Sequence, residues 1–155
     1  MLIRRLLILA ALLLSGAALL ALAADDAPRR TPQARELGLN GHDPVAYFRQ
    51  GRAVPGEARL SAEHNGVTYH FANADDRRTF LADPDRYAPR YGGFCAYNLA
   101  HGRRKKGDPE QWAIVDGQLY VAASREALEA FQKDTPDYIQ RANAIWARIK
   151  SRQDQ

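Results

Sequence analysis

Cysteine is almost absent from this chain: Cys95 is the only one in 155 residues. A single cysteine excludes an internal disulfide. It leaves four fates for the thiol: inert burial, reactivity, a link to another chain, or metal ligation. The residue patterns of several common chemistries are missing too. There is no glycine-rich phosphate loop, no serine-hydrolase elbow and no HExxH helix. No paired-carboxylate motif stands out, because Asp43, Asp108 and Asp116 each neighbour proline or glycine and turn formation accounts for them. Neither an internal repeat nor a low-complexity tract is evident downstream of the N-terminal segment. A large excess of one charge is lacking as well. The chain carries 22 basic and 18 acidic side chains, and leaving out Arg4 and Arg5 lowers the basic count to about 20, near balance. That balance speaks against a nucleic-acid surface. The one basic cluster, Arg103, Arg104, Lys105 and Lys106, lies between glycines and reads as a solvated loop.

Only one long apolar run is present, over residues 6–22, preceded by Arg4 and Arg5 and ending Ala21-Leu22-Ala23. A basic start, an apolar stretch and small residues at its end are the pattern of a secretory signal peptide. The expected cut follows Ala23, with Ala24 the alternative, and no membrane span remains after cleavage. No cysteine follows the apolar run, which argues against a lipoprotein anchor. The expected location is outside the cytoplasm, periplasmic or secreted. The organisation expected is a signal peptide (1–23), a flexible polar tether with Pro28 and Pro32 (24–37), and one domain (38–150), a length that suits a single core.

Within the domain, Asn65-Gly66 and Asp116-Gly117 each separate two apolar-alternating runs and predict two-residue hairpin turns. Around the first turn, His64 should pair with Val67, Ala62 with Tyr69 and Leu60 with Phe71, placing those residues on the core side. Asn73 is placed to cap a short middle helix with Asp75 and Asp76 in its first turn, closed by Pro84. Ser124 begins a further helix, and Pro136 separates it from a last one. In that last helix Ile139, Ala142, Ile145, Trp146 and Ile149 recur at helical spacing. The fold class expected is α+β: two β-hairpins, a short middle helix and C-terminal helices packed on the sheet.

Three blocks carry a resemblance: GHDPVAYF (41–48), GVTYHFANADDRRTFLADPDRYAPRYGGFCAY (66–97) and DPEQWAIVDGQLYV (108–121). In this order they resemble the YHS domain, and most closely its exported, single-domain bacterial branch. Metal-handling members of that group read DPVCGM and then YYFCSxxC. Here the corresponding cysteine positions hold Ala46, Ala72 and Asp76. The resemblance therefore implies the fold without the thiol-rich metal site, since alanine ligates nothing and one carboxylate does not replace three thiolates.

The remaining candidate chemistry centres on Cys95. With imidazoles from His42, His70 or His101 it would suit copper or zinc. On a helix, however, His101 would be six residues on and point elsewhere, and on an extended strand it would lie about 20 Å from Cys95. With His42 or His101 as base, the thiol would instead be a nucleophile or redox group. A third reading is a protein-binding accessory domain with a buried cysteine. The aromatic residues are read as core. The sequence favours a non-enzymatic binding module for a metal ion or a protein partner, with no nucleic-acid role.

Overall fold

The computed structural model describes residues 36–153. The expected signal peptide and all but the last two residues of the expected tether lie outside that range. The architecture is α+β, as the pattern of the sequence predicts. In chain order it comprises β1 (Glu36–Leu37), α1 (Ala46–Gln50), β2 (Glu57–His64), β3 (Val67–Phe71), α2 (Ala74–Ala82), α3 (Pro84–Tyr87), α4 (Ala96–Ala100), β4 (Asp108–Val115), β5 (Gln118–Ala122), α5 (Arg125–Lys133) and α6 (Thr135–Gln153). Tight 3₁₀ turns at Gly38–Gly41 and Arg90–Gly93 precede α1 and α4.

Two small sheets result. The first has the order β1-β3-β2, with β1 parallel to β3 and β2 antiparallel to it; the second pairs β4 with β5. Asn65 and Asp116, both at φ 50°, open the hairpin turns and are followed by Gly66 and Gly117 at φ 77° and 73°. Asparagine, aspartate and glycine reach these left-handed values at least cost. In the first hairpin His64 faces Val67 and Ala62 faces Tyr69. A bulge between Glu57 and Ser61 then brings Glu57, not Leu60, opposite Phe71. Ala62, Val67, Tyr69 and Phe71 nevertheless lie buried together with Val45 and Phe80, and Leu60 packs at the edge of the same cluster.

Asn73 caps α2 by accepting from the Asp76 backbone amide at 2.8 Å, and Ser124 caps α5 by accepting from Ala127 at 3.3 Å. On α6, Ile139, Ala142, Ile145, Trp146 and Ile149 pack over Tyr91, Phe94, Leu99, Tyr120 and Phe131. The apolar spacing of that helix is thus spent on the second hairpin and on α4.

Two features depart from the sequence reading, and one open alternative is decided. Glu36 and Leu37 are not tether but a strand, paired with Val67 and Thr68. Of the helical and extended alternatives for the segment after Cys95, the structure has the helical one, the short helix α4 with Cys95 as its N-cap. Finally, the element order 3₁₀ turn, short helix, hairpin, helix occurs twice, although no repeat is evident from the residues alone.

Candidate functional site

Cys95 sits where the 3₁₀ turn gives way to α4. Its backbone N–H donates to the Lys105 carbonyl at 2.8 Å, and its own carbonyl accepts from Leu99 at 2.9 Å. The sulfur accepts from the Asn98 backbone amide at 3.4 Å and from Asn98 Nδ2 at 3.1 Å. The residue is 0% exposed, against Ala122 and Ala127 and beside Tyr97, Ala123 and Leu128. Here the thiol does the work of a cap, satisfying a helix-start donor that would otherwise be orphaned.

Two of the three candidate histidines, His101 and His42, are hydrogen-bonded elsewhere. His101 is the C-cap of α4, at the end of the helix opposite Cys95; its Nδ1 lies 2.8 Å from the Tyr97 carbonyl. It is exposed, with ring centroids 4.6 Å from Tyr97 and 5.9 Å from Tyr138. Nδ1 of His42 lies 3.0 Å from the Leu39 carbonyl. His70 projects from β3 beside Gly41, and its backbone abuts Gly56. Among the described residues no three His, Cys, Asp or Glu side chains form a group that could hold a metal ion. The set Cys95, His42, His70 and His101 therefore does not fit a copper or zinc centre: the sulfur is sealed and already accepts two hydrogen bonds, and no histidine is directed at it.

The basic cluster is less free than a solvated loop. Lys106 pairs with Glu36, and both Lys106 and Arg104 lie over the Phe94 ring, 5.1 and 4.6 Å from its centroid. Burial holds the Lys106 ammonium below its usual proton affinity.

The most concentrated buried polarity was not expected from the sequence. Asp43 is 0% exposed and Asp76 only 2%. The two Asp43 oxygens accept from Val45 N at 2.8 Å and Ala72 N at 2.9 Å, which fastens the entry of α1 to the end of β3. Asp76 adjoins it; one of its oxygens accepts from Arg49 Nη1 at 2.7 Å and the other from Asn73 Nδ2 at 2.8 Å. Arg49 extends to Asp75 at 3.1 Å and to Thr79 Oγ1 at 2.8 Å. Burial, and then the neighbouring Asp76 carboxyl, push the proton affinity of Asp43 above the ordinary carboxylate range, against the opposing effect of its two backbone donors. Arg49 holds Asp75 below that range. Asp43 is thus more than a turn-former. Its place in GHDPV is typical of a turn, and only the burial reveals the second role. A further open depression is lined by the polar and charged residues Asp83, Asp85, Arg86, Arg90 and Gln118.

No helix among the described residues is long and apolar enough to cross a membrane. No protein-family model, curated protein or solved structure matches the chain.

Proposed function

We propose that this chain is an exported YHS-like binding module without catalytic activity, whose partner is a protein and whose single thiol is structural. The observation that carries this reading is the burial of Cys95 with its sulfur hydrogen-bonded twice to Asn98. A nucleophilic or metal-binding thiol needs access, a base or fellow ligands. Export is supported by the basic-apolar-small pattern at the N-terminus, and kinship with the YHS group by the three ordered sequence blocks. A partner would find the exposed His101 ring beside the half-buried rings of Tyr97 and Tyr138, with Arg141 over Tyr138 at 5.8 Å. Tyrosine and arginine are the side chains most enriched among interface hot spots.

The test is alkylation and metal content of the protein recovered from the periplasm, beside Cys95→Ser. The expected result is a thiol that reacts only after denaturant is added, and the same low metal content in both proteins. Near-stoichiometric copper or zinc in the parent but not in Cys95→Ser would replace this reading with the metal one. Rapid alkylation of the folded protein at neutral pH would replace it with thiol chemistry.

A further inference from the structure

The repeated element order extends to individual atoms. Leu39, Asn40 and Gly41 have φ values of 51°, 50° and 81°; Tyr91, Gly92 and Gly93 have 59°, 61° and 81°. Three successive left-handed residues are a costly conformation for side chains other than glycine, yet the chain adopts it twice. The hydrogen bonds that follow match in order. His42 N donates to Leu39 O and Phe94 N to Tyr91 O; Asp43 N to Val54 O and Cys95 N to Lys105 O; Gly56 N to Gly41 O and Gly107 N to Gly93 O. Isolated bridges join His42 to Pro55 and Phe94 to Lys106.

The correspondence continues through the hairpins. Bulges fall between Glu57 and Ser61 and between Asp108 and Trp112. Each hairpin then enters a nine-residue helix, α2 or α5, through a capping Asn73 or Ser124. Both helices end at an aspartate of like backbone, Asp83 (φ −154°, ψ 73°) and Asp134 (φ −150°, ψ 63°). Each half also has its own core. Val45, Tyr69 and Phe80 lie together in one, Ala96, Tyr120 and Phe131 in the other. The ring pairs correspond: Tyr69 to Phe80 at 5.2 Å, Tyr120 to Phe131 at 5.6 Å. From Gly51 and Gly102 onward the matched positions keep one constant spacing, through Gly56 and Gly107, Gly66 and Gly117, and Tyr87 and Tyr138. Pro44 alone lacks a counterpart between the 3₁₀ turns and these helices.

We infer that the domain is a tandem duplication, residues 41–87 and 93–138, in which the second copy is the packing half and the first has gained a polar cluster that the framework folds without. The equivalences assign each member. Asp43 stands where the second copy has Cys95, Arg49 where it has Ala100, and Asp76 where it has Ala127. Cys95, Ala100 and Ala127 are themselves buried, at 0%, 7% and 8% exposure. The same backbone is therefore built around a thiol and a methyl group in one copy and around two buried carboxyls in the other, with the exposed Arg49 reaching Asp76 from the surface. Burying charged groups is costly even when they are paired, so a framework that closes without them identifies them as an acquired feature of the first copy. That makes residues 41–87 the half specialised for something other than packing.

Two sets of variants of the full chain test this, with thermal melting as the readout. The first set probes equivalence. A Cβ at Gly56 would run into the His70 backbone, and one at Gly107 into Val121, the position matching His70. Gly56→Ala and Gly107→Ala should each lower the midpoint by about 5 °C or more. Exchange of the turn residues, Asn65→Asp and Asp116→Asn, should move it by less than about 2 °C. A large loss from one glycine variant and none from the other would overturn the duplication. The second set probes the division of labour. The combined variant Asp43→Cys, Arg49→Ala, Asp76→Ala installs the second copy's residues in the first. It should remain folded, with a single transition within about 5 °C of the parent. Failure to fold, or a larger loss, alongside matched glycine effects would overturn the assignment of the polar cluster as dispensable to folding.

Discussion

Single residues in this protein are explained by what they satisfy rather than by their usual chemistry. Cys95 caps a helix; Asp43 clamps two loops through its two oxygens. Cys95→Ser keeps an acceptor for Asn98 and should cost no more than about 2 kcal/mol in denaturant melts, the cost of placing a hydroxyl in an apolar cluster. Asn73→Ala removes both the cap of α2 and the donor to Asp76, and should cost about 1–2 kcal/mol by the same measurement. The two carboxyls respond to pH in opposite directions. Asp43 has a raised folded-state proton affinity, so the folded chain holds that proton more tightly than the unfolded one. Its contribution to stability is full below the ordinary value of 3.8 and is lost as pH rises through the raised value. Asp75 is lowered, so its contribution is present above 3.8 and is lost as pH falls. Carbon-detected NMR titration of the side-chain carboxyls should find Asp43 above 3.8 and Asp75 below it; the reverse order would contradict the cluster as described.

At the scale of elements, the legible parts were those whose signal is local. Asn65-Gly66 and Asp116-Gly117 determine their own turns, Asn73 and Ser124 their own helix starts, and α6 is long enough for five apolar residues to reveal its face. The five-residue helices α1 and α4 are too short for a period to show. β1 is two residues held by a parallel partner some thirty positions away, and its pairing leaves no trace in its own composition. The repeat was missed for a related reason. The matched positions share glycines and a few aromatics, while the buried polar residues that draw the eye in the first copy are alanine or cysteine in the second. The equal spacing of the two turn dipeptides was the signal available. α6 also distinguishes the copies, because it runs on where α3 stops at Tyr87. Trp146 on α6 contacts Tyr91 and Phe94 at centroid distances of 6.1 and 6.2 Å. Trp146→Ala should therefore cost about 2–3 kcal/mol, somewhat less than a fully buried tryptophan, while leaving the helical circular-dichroism signal of the folded state almost unchanged.

For the whole molecule, two separate cores raise the question of what would couple their unfolding. A small cluster joins the copies: Tyr47 from the first, with Leu39 just before it, against Leu119 and Val121 from the second. Tyr47 is 1% exposed, meets Trp112 edge-on at 5.2 Å, and donates its hydroxyl hydrogen to the Pro109 carbonyl at 3.0 Å. Burial also makes that hydroxyl very hard to ionise, so the bond persists across the range in which the protein folds. Tyr47→Phe removes only the donor and leaves the Pro109 carbonyl to find another partner, a loss of about 1–2 kcal/mol with cooperativity intact. Tyr47→Ala empties the shared cluster, at about 3–5 kcal/mol, while leaving the Tyr69–Phe80 and Tyr120–Phe131 cores in place. Each copy should then melt closer to its own midpoint. Calorimetry would register this as a transition whose calorimetric enthalpy exceeds its van't Hoff enthalpy, where the parent should give equal values. A Tyr47→Ala protein that still melted in one sharp two-state step would mean that the copies are held together through other contacts, and that the cluster around Tyr47 is not what couples them.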